Sequence, residues 1–366
     1  MKIKKLKLSN FRSYESLDID FDENVIIVGS NAQGKTNLLE AAHLVSVGKS
    51  FRGRETEILK WDASFFRVEA DVVEGKIKKI EYIYEKLSPK DRKTVKLNGV
   101  KKPSAALLGA LQAIFFSPDE IDEFLGFPGA RRRYFNIFIS QFSRSYALNL
   151  IYYSRALEQR NALLRQIASG KVDEELLTLW DGKIIEYGTK IIEERMMLVE
   201  KINSVIGQHY RNLSETKDQL VLEYKNSIRQ AKKTDLWGSF LKSLLESRQK
   251  DILLGVTHTG PHRDDFTFVM NGLDITKFGS RGEYRTAILA LKFSQLWLIR
   301  ENRQNEPILL LDDVFSELDV KRRKQLLREF SDQQTIITTT DLDHIDPKFR
   351  KSATIFEVKD SILERL

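Results

Sequence analysis

The chain of 366 residues contains no cysteine, which excludes disulfides, thiolate metal sites and cysteine nucleophiles together. Long apolar runs are missing too: no stretch approaches the roughly 18 apolar residues a membrane-spanning helix needs. Histidine is scarce, and none of the five positions (His43, His209, His258, His262, His344) has metal-ligand spacing. Residues 1–8 are basic, but Ser9, Asn10 and Arg12 follow where a secretory signal would need an apolar core. The expectation is therefore a cytoplasmic protein with no membrane partner. What is present is ordinary for a soluble chain, with 42% hydrophobic and 30% charged residues. The length suffices for two structural units. A net charge of +7 and a pI of about 9.2 favour a polyanionic partner such as nucleic acid.

Pattern along the chain predicts three segments. Residues 1–116 read as α/β. Leu17, Ile19 and Phe21 alternate as in a half-buried strand, and Val25 to Val28 form a short apolar run suited to a strand buried on both faces. Phe66, Val68, Ala70 and Val72 alternate before Glu74-Gly75, and Val95 and Leu97 precede Asn98-Gly99, a dipeptide suited to a type I′ turn. Residues 117–250 change character: Leu177, Ile184, Ile191, Leu198 and Val205 recur every seven residues. The companion positions begin as Trp180 and Tyr187 but become Glu194 and Lys201, so a locally packed helix pair is expected rather than a long coiled coil. This segment reads as a helical insertion. From 251 to 366 α/β character returns, with a helix over 281–300 and strands at 308–311, 335–339 and 354–358.

Three motifs carry chemistry. Gly29, Ser30, Asn31, Ala32, Gln33, Gly34, Lys35 and Thr36 match the phosphate-binding P-loop in full, with an apolar strand before and a helical pattern after. Backbone N–H groups there can cradle phosphates at the positive end of a helix, Lys35 can reach the β- and γ-phosphates, and Thr36 can bind Mg²⁺. Near the other end, an apolar strand over 308–311 runs into Asp312 and Asp313. Carboxylates there are costly unless metal-bound or solvated. Asp312 suits a Mg²⁺ ligand and Asp313 a base for the attacking water; a capping pair after a core strand is the plainer alternative. Third, Ser280-Arg281-Gly282-Glu283 opens a helix. Ser280 and Glu283 can form a capping box, or the same helix start can offer Ser280 and the backbone at Gly282 to a γ-phosphate.

In this order, with Ser316 to Asp319 as a D-loop, the motifs resemble an ABC ATPase of the SMC-related DNA-repair branch. Further segments are similar to the RecF family of bacterial recombination mediators: Asn10-Phe11-Arg12, Gly48 to Arg52, Phe116 to Asp119, Pro128 to Arg133, and Thr259 to Asp265. The resemblance implies an α/β ABC-type ATPase head, built from a mixed and largely parallel sheet plus antiparallel N-terminal strands, with an inserted, mainly α-helical lid. It implies ATP and Mg²⁺ as cofactors, Arg12 and Asn37 beside the P-loop as nucleotide-binding residues, and Ser280 and Gly282 acting in trans within an ATP-dependent homodimer. Double-stranded or gapped DNA, RecO and RecR are the implied partners, and RecA loading onto single-stranded DNA the implied role. An ABC-type repair ATPase that works without RecO and RecR is the alternative. Two positions depart from pattern: Glu283 stands where such signatures usually carry Gln, and Thr338 to Asp341 stand where a transporter carries a switch histidine. A GTPase is disfavoured, since no Asn-Lys-x-Asp motif occurs. Charge alone nominates Arg131, Arg132 and Arg133, with Lys101 and Lys102 near the Asn98-Gly99 turn, as DNA contacts.

Overall fold

A computed structural model describes residues 1–228, 235–301, 306–329 and 333–366. The first stretch of chain forms β1 (Lys2–Phe11), β2 (Tyr14–Asp20), β3 (Asn24–Val28), α1 (Lys35–Val47), the single turn α2 (Glu55–Ile58), β4 (Phe65–Val73), β5 (Lys79–Glu85), β6 (Arg92–Leu97), β7 (Val100–Lys102) and β8 (Ala113–Phe116). The alternating segments behave as their period demands. In β4, Phe66, Val68, Ala70 and Val72 are buried while the intervening side chains are partly exposed. Asn98 and Gly99 take φ of 51° and 79° and join β6 to β7 with Leu97 opposite Val100. Six antiparallel strands in the order β2-β1-β4-β5-β6-β7 result.

The next stretch comprises α3 (Asp119–Gly126), α4 (Pro128–Ser140), α5 (Arg144–Ala168), α6 (Leu177–Asn203), α7 (Ile206–Ser214), β9 (Leu220–Lys225), α8 (Leu236–Leu254), β10 (Asp265–Met270), β11 (Leu273–Asp274) and α9 (Ile275–Phe278). The chain then continues through α10 (Arg281–Glu301), β12 (Ile308–Asp312), α11 (Val320–Glu329), β13 (Thr335–Thr339), α12 (Pro347–Lys351), β14 (Thr354–Lys359) and β15 (Ile362–Arg365).

Two compact units divide the chain: one of Met1–Asp122 with Leu291–Leu366, the other of Glu123–Ala290. In the first, a second sheet has the order β15-β14-β3-β13-β12-β8, parallel except for β15. α1 packs on strands of both sheets, so eleven of its thirteen residues are buried. The helix is thus enclosed nearly all round, its polar Glu40, His43 and Ser46 included.

The second unit ends forty residues beyond the expected limit of 250, and 251–290 is not part of the head. The reason is a strand pairing that local pattern does not reveal: β10 pairs antiparallel with β9 along its whole length. The three-stranded sheet β11-β10-β9 packs on α4. The seven-residue seam is buried at Leu177, Ile184, Ile191 and Leu198, whereas Val205 lies past the end of α6 as the cap of α7. α5 and α8 pack against α6, and the interior includes two buried arginines. Arg160 donates to Asp181 at 2.7 Å and to Asp251 at 2.8 Å. Arg195 donates to Tyr146, Asn136, the Pro261 carbonyl and Asp264. Such pairing offsets the cost of burying the charge, although Nη2 of Arg160 is left without a hydrogen-bond partner.

Candidate nucleotide site

Strand register brings the motifs together. Val28 pairs with Thr339, Asp312 with Thr338, and Leu311 with Phe116. The C-terminal ends of β3, β13, β12 and β8 therefore lie side by side, where parallel α/β sheets bind ligands. An open cleft of about 380 Å³ is lined there by Asn31, Ala32, Gly34, Lys35, Thr36 and Asn37 from the loop and helix start, Asp312 and Asp313, and Pro118 and Arg52.

The loop is shaped to receive an anion. Ala32 and Gly34 take left-handed φ of 64° and 108°, and a Cβ at Gly34 would stand 2.9 Å from the Tyr14 hydroxyl. That hydroxyl donates to the Gly34 carbonyl at 3.1 Å. Gly29 lies against the Val358 carbonyl, 2.5 Å from where a Cβ would stand. The start of α1 has no side-chain cap and no acidic residue in its first turn, leaving its positive end open to phosphate. Lys35 donates to the carbonyls of Gly29 and Ser30 at 2.7 and 2.9 Å. Burial lowers its pKa, against the pull of Asp313 and Asp312. Ser30 and Asn31 are exposed, Gln33 accepts the backbone N–H of Asp360, and Asn37 donates to Ser13 at 3.1 Å.

The two acids differ in their surroundings. Asp312 Oδ1 accepts from Thr36 at 2.9 Å and from Thr338 at 2.6 Å. Burial pushes its carboxyl above the usual range, and those hydroxyls pull it back. Asp313 takes left-handed φ and ψ of 48° and 26°, and its Oδ1 is buried without a hydrogen-bond partner. An orphaned carboxylate oxygen beside a phosphate cradle has the placement of a group awaiting a water or hydroxyl proton. The oxygens of Thr36 and Asp312 suit Mg²⁺. Among the described residues no three His, Asp or Glu side chains cluster to hold a metal, so Mg²⁺ would take its remaining ligands from phosphate and water, as is usual for that ion.

Arg52 ends the Gly48 to Arg52 segment, which gave it no place at the nucleotide. Ser50 folds its loop by accepting the N–H groups of Arg52 and Gly53. Arg12, by contrast, is not brought into the cleft. Its guanidinium forks onto Glu40, 2.8 Å to each oxygen, and donates to the Glu57 carbonyl. Glu40 is fully buried, and a carboxylate there needs such a partner.

In the second unit, Ser280 and Glu283 form the capping box: the Ser280 N–H and hydroxyl donate to Glu283 at 2.7 and 2.8 Å, and the Glu283 N–H returns to Ser280. Glu283 thus has a local role in starting α10. Gly282 is exposed, and a Cβ there would approach nothing closer than Ser280 Oγ at 4.0 Å.

The basic cluster needs correction. Arg131 is buried and bidentate to Asp265 at 2.8 and 2.9 Å, with a further bond to the Phe124 carbonyl. Arg132 is half-buried and donates to the Asp264 carbonyl. The Arg131 guanidinium is thus held inside the unit rather than free to meet DNA, while Arg133, Lys101 and Lys102 are exposed. The segment Thr259 to Asp265 is likewise mostly internal, with Arg263 exposed. Asp264 accepts from Arg195, Tyr224 and the Ser227 N–H, and His262 bridges Tyr153 and the Thr257 carbonyl.

The model of the RecF/RecN/SMC N terminal domain matches residues 2–363. A DNA replication and repair protein RecF from Agathobacter rectalis is 39% identical over 366 residues, covering 99% of each chain. One from Lachnoclostridium phytofermentans is 37% identical with 100% of each covered. Among solved structures, a recombination mediator protein RecF with ATP, of the RecFOR pathway, matches with a TM-score of 0.91 at 34% identity, over 100% of this chain and 97% of that one. The Smc head domain of Pyrococcus furiosus matches at 0.52 and 16% identity, covering 100% and 95%, a likeness of fold alone.

Proposed function

The chain belongs to the RecF family of DNA replication and repair proteins, and on that premise we propose an ABC-type ATPase that closes as a dimer on DNA with ATP and reopens on hydrolysis. The observation that carries the catalytic part is the unbonded Oδ1 of Asp313 in the cleft that also holds Lys35 and Thr36. Lys35 exchanges its loop carbonyls for phosphate oxygens, and the N–H groups at the start of α1 hold the same phosphates. Thr36 and Asp312 would hold Mg²⁺, which would neutralise charge on the transferring phosphate. Asp313 orients and deprotonates the attacking water. Arg52 adds a cation to the lining of the cleft.

Ser280 and Gly282 complete the site of a partner subunit. Glycine inside the first turn of a helix costs about 0.5–1 kcal/mol relative to alanine, and the surroundings of Gly282 leave room for a methyl group. Close approach by a partner's nucleotide gives that glycine a purpose. Arg133, Lys101 and Lys102 meet the phosphates of double-stranded or gapped DNA, and RecO and RecR are the partners in passing RecA onto single-stranded DNA. The test is steady-state ATP hydrolysis with and without gapped duplex DNA. Hydrolysis above that of Asp313→Asn, rising several-fold with DNA, is expected. No hydrolysis above that control rejects the ATPase, and hydrolysis indifferent to DNA rejects the coupling.

A further inference from the structure

Thr338 lies on β13, between the strand that feeds the P-loop and the strand that ends in the paired acids. It is fully buried, and register sets it opposite Asp312. Its hydroxyl has one proton, which goes to Asp312 Oδ1 at 2.6 Å. Its oxygen accepts the backbone N–H of Asp313 at 3.1 Å. The same N–H also reaches the Thr338 carbonyl at 3.1 Å. Asp313 needs that hold, because a left-handed backbone is unfavourable for a residue with a Cβ.

Resting on the ATPase reading above, we propose that Thr338 is the positioning residue for both acids: one hydroxyl aims the metal-side carboxylate and pins the backbone turn that points the second carboxylate into the cleft. Two consequences follow from that geometry. Without the hydroxyl, Asp312 keeps only the bond from Thr36, a residue that must itself turn toward Mg²⁺, so the carboxylate is no longer pre-aimed. Asp313 meanwhile keeps a single carbonyl contact in a turn it does not favour. Threonine on a buried β-strand is otherwise an ordinary β-branched core residue, and in that role valine replaces it without loss.

The experiment compares the full-length wild type with Thr338→Val, which keeps the shape, and Thr338→Ser, which keeps the hydroxyl. A fluorescent ATP analogue is titrated at increasing Mg²⁺ and in EDTA, and hydrolysis is followed in parallel. In Thr338→Val, half-saturating Mg²⁺ should rise several-fold while affinity in EDTA stays unchanged. Its kcat should fall about 10- to 100-fold, the loss of one hydrogen bond to a charged group expressed as rate, with KM within about threefold. Thr338→Ser should stay within about threefold of wild type in both measurements. Wild-type Mg²⁺ dependence in Thr338→Val overturns the proposal, as does equal damage in Thr338→Ser. Should Thr338→Val lose its cooperative melt, Thr338→Ala takes its place against the same serine control. If wild type itself hydrolyses no more than Asp313→Asn, the ATPase reading has failed, and the Mg²⁺ titration still judges Thr338.

Discussion

Asp312 and Asp313 are neighbours in the chain with opposite prospects. The first has two hydroxyl donors on one oxygen; the second leaves an oxygen bare. Asp313→Asn keeps the size of the side chain and removes only the charge that we propose orients water. We expect ATP binding unchanged and hydrolysis slower by on the order of 10². Lys35→Ala should instead weaken ATP binding, measured by equilibrium titration, because it deletes a phosphate contact. Equal turnover in Asp313→Asn and wild type would reject the assignment. At this scale legibility depended on covalent spacing. The P-loop residues and paired acids are short runs whose chemistry is fixed by sequence distance. Arg52 reaches the cleft through a loop that Ser50 folds; its segment was visible as a motif, but no spacing rule ties it to the P-loop. Arg12 shows the reverse: its motif was visible, but its buried partner Glu40, 28 positions away, was not.

Among elements, the second unit shows how an internal polar network can look like a surface. Arg131 and Arg132 stood out by charge, and only the pairing of β9 with β10 puts Asp264 and Asp265 beneath them. Alternating strands and the seam of α6 were readable because burial follows a period; the end of the insertion was not, because a distant strand partner leaves no local trace. The network also makes a pH prediction. His262 Nε2 faces the Thr257 carbonyl, which only accepts, so that nitrogen bears the proton and Nδ1 accepts from Tyr153. Burial lowers the His262 pKa to about 4. Its unfolded value is near 6.5, so below that pH the unfolded chain binds the proton first. This contribution to stability is complete above about pH 6.5 and is lost as pH falls toward 4. Between pH 7 and 5 the loss should reach about 2 kcal/mol, read from denaturant unfolding followed by near-UV dichroism. The slope should flatten in His262→Gln; an identical slope would mean that other groups govern it.

At the scale of the whole molecule, the P-loop and Ser280 belong to different compact units, and the shared-site reading joins them across two chains. Ser280→Arg would set a bulky cation where the γ-phosphate docks, leaving ATP binding by a single chain intact and abolishing dimerisation and hydrolysis. Lys35→Ala is inactive for a different reason. Mixed, the two can assemble one complete site from the P-loop of the first and Ser280 of the second, so hydrolysis should recover to at most about half of wild type under two-fold geometry. Failure of every mixture of folded proteins would favour a self-contained site. The central position of β3 has a further consequence, for biosynthesis. Its partners β13 and β14 are made last, and the bond from the Ile3 N–H to Gln334 already spans 331 residues. At bacterial and eukaryotic elongation rates that delay is roughly 15–60 s. During it the β1–β7 sheet, local in sequence, can close, and the contiguous second unit can form its contacts. Val25, Ile26 and Ile27 meanwhile wait with both strand edges unpaired, a template for any neighbouring nascent chain. A strand enclosed between two partners in the finished protein is thus left open on the ribosome, and the hazard of misassembly belongs to the minute of synthesis rather than to the working life of the molecule.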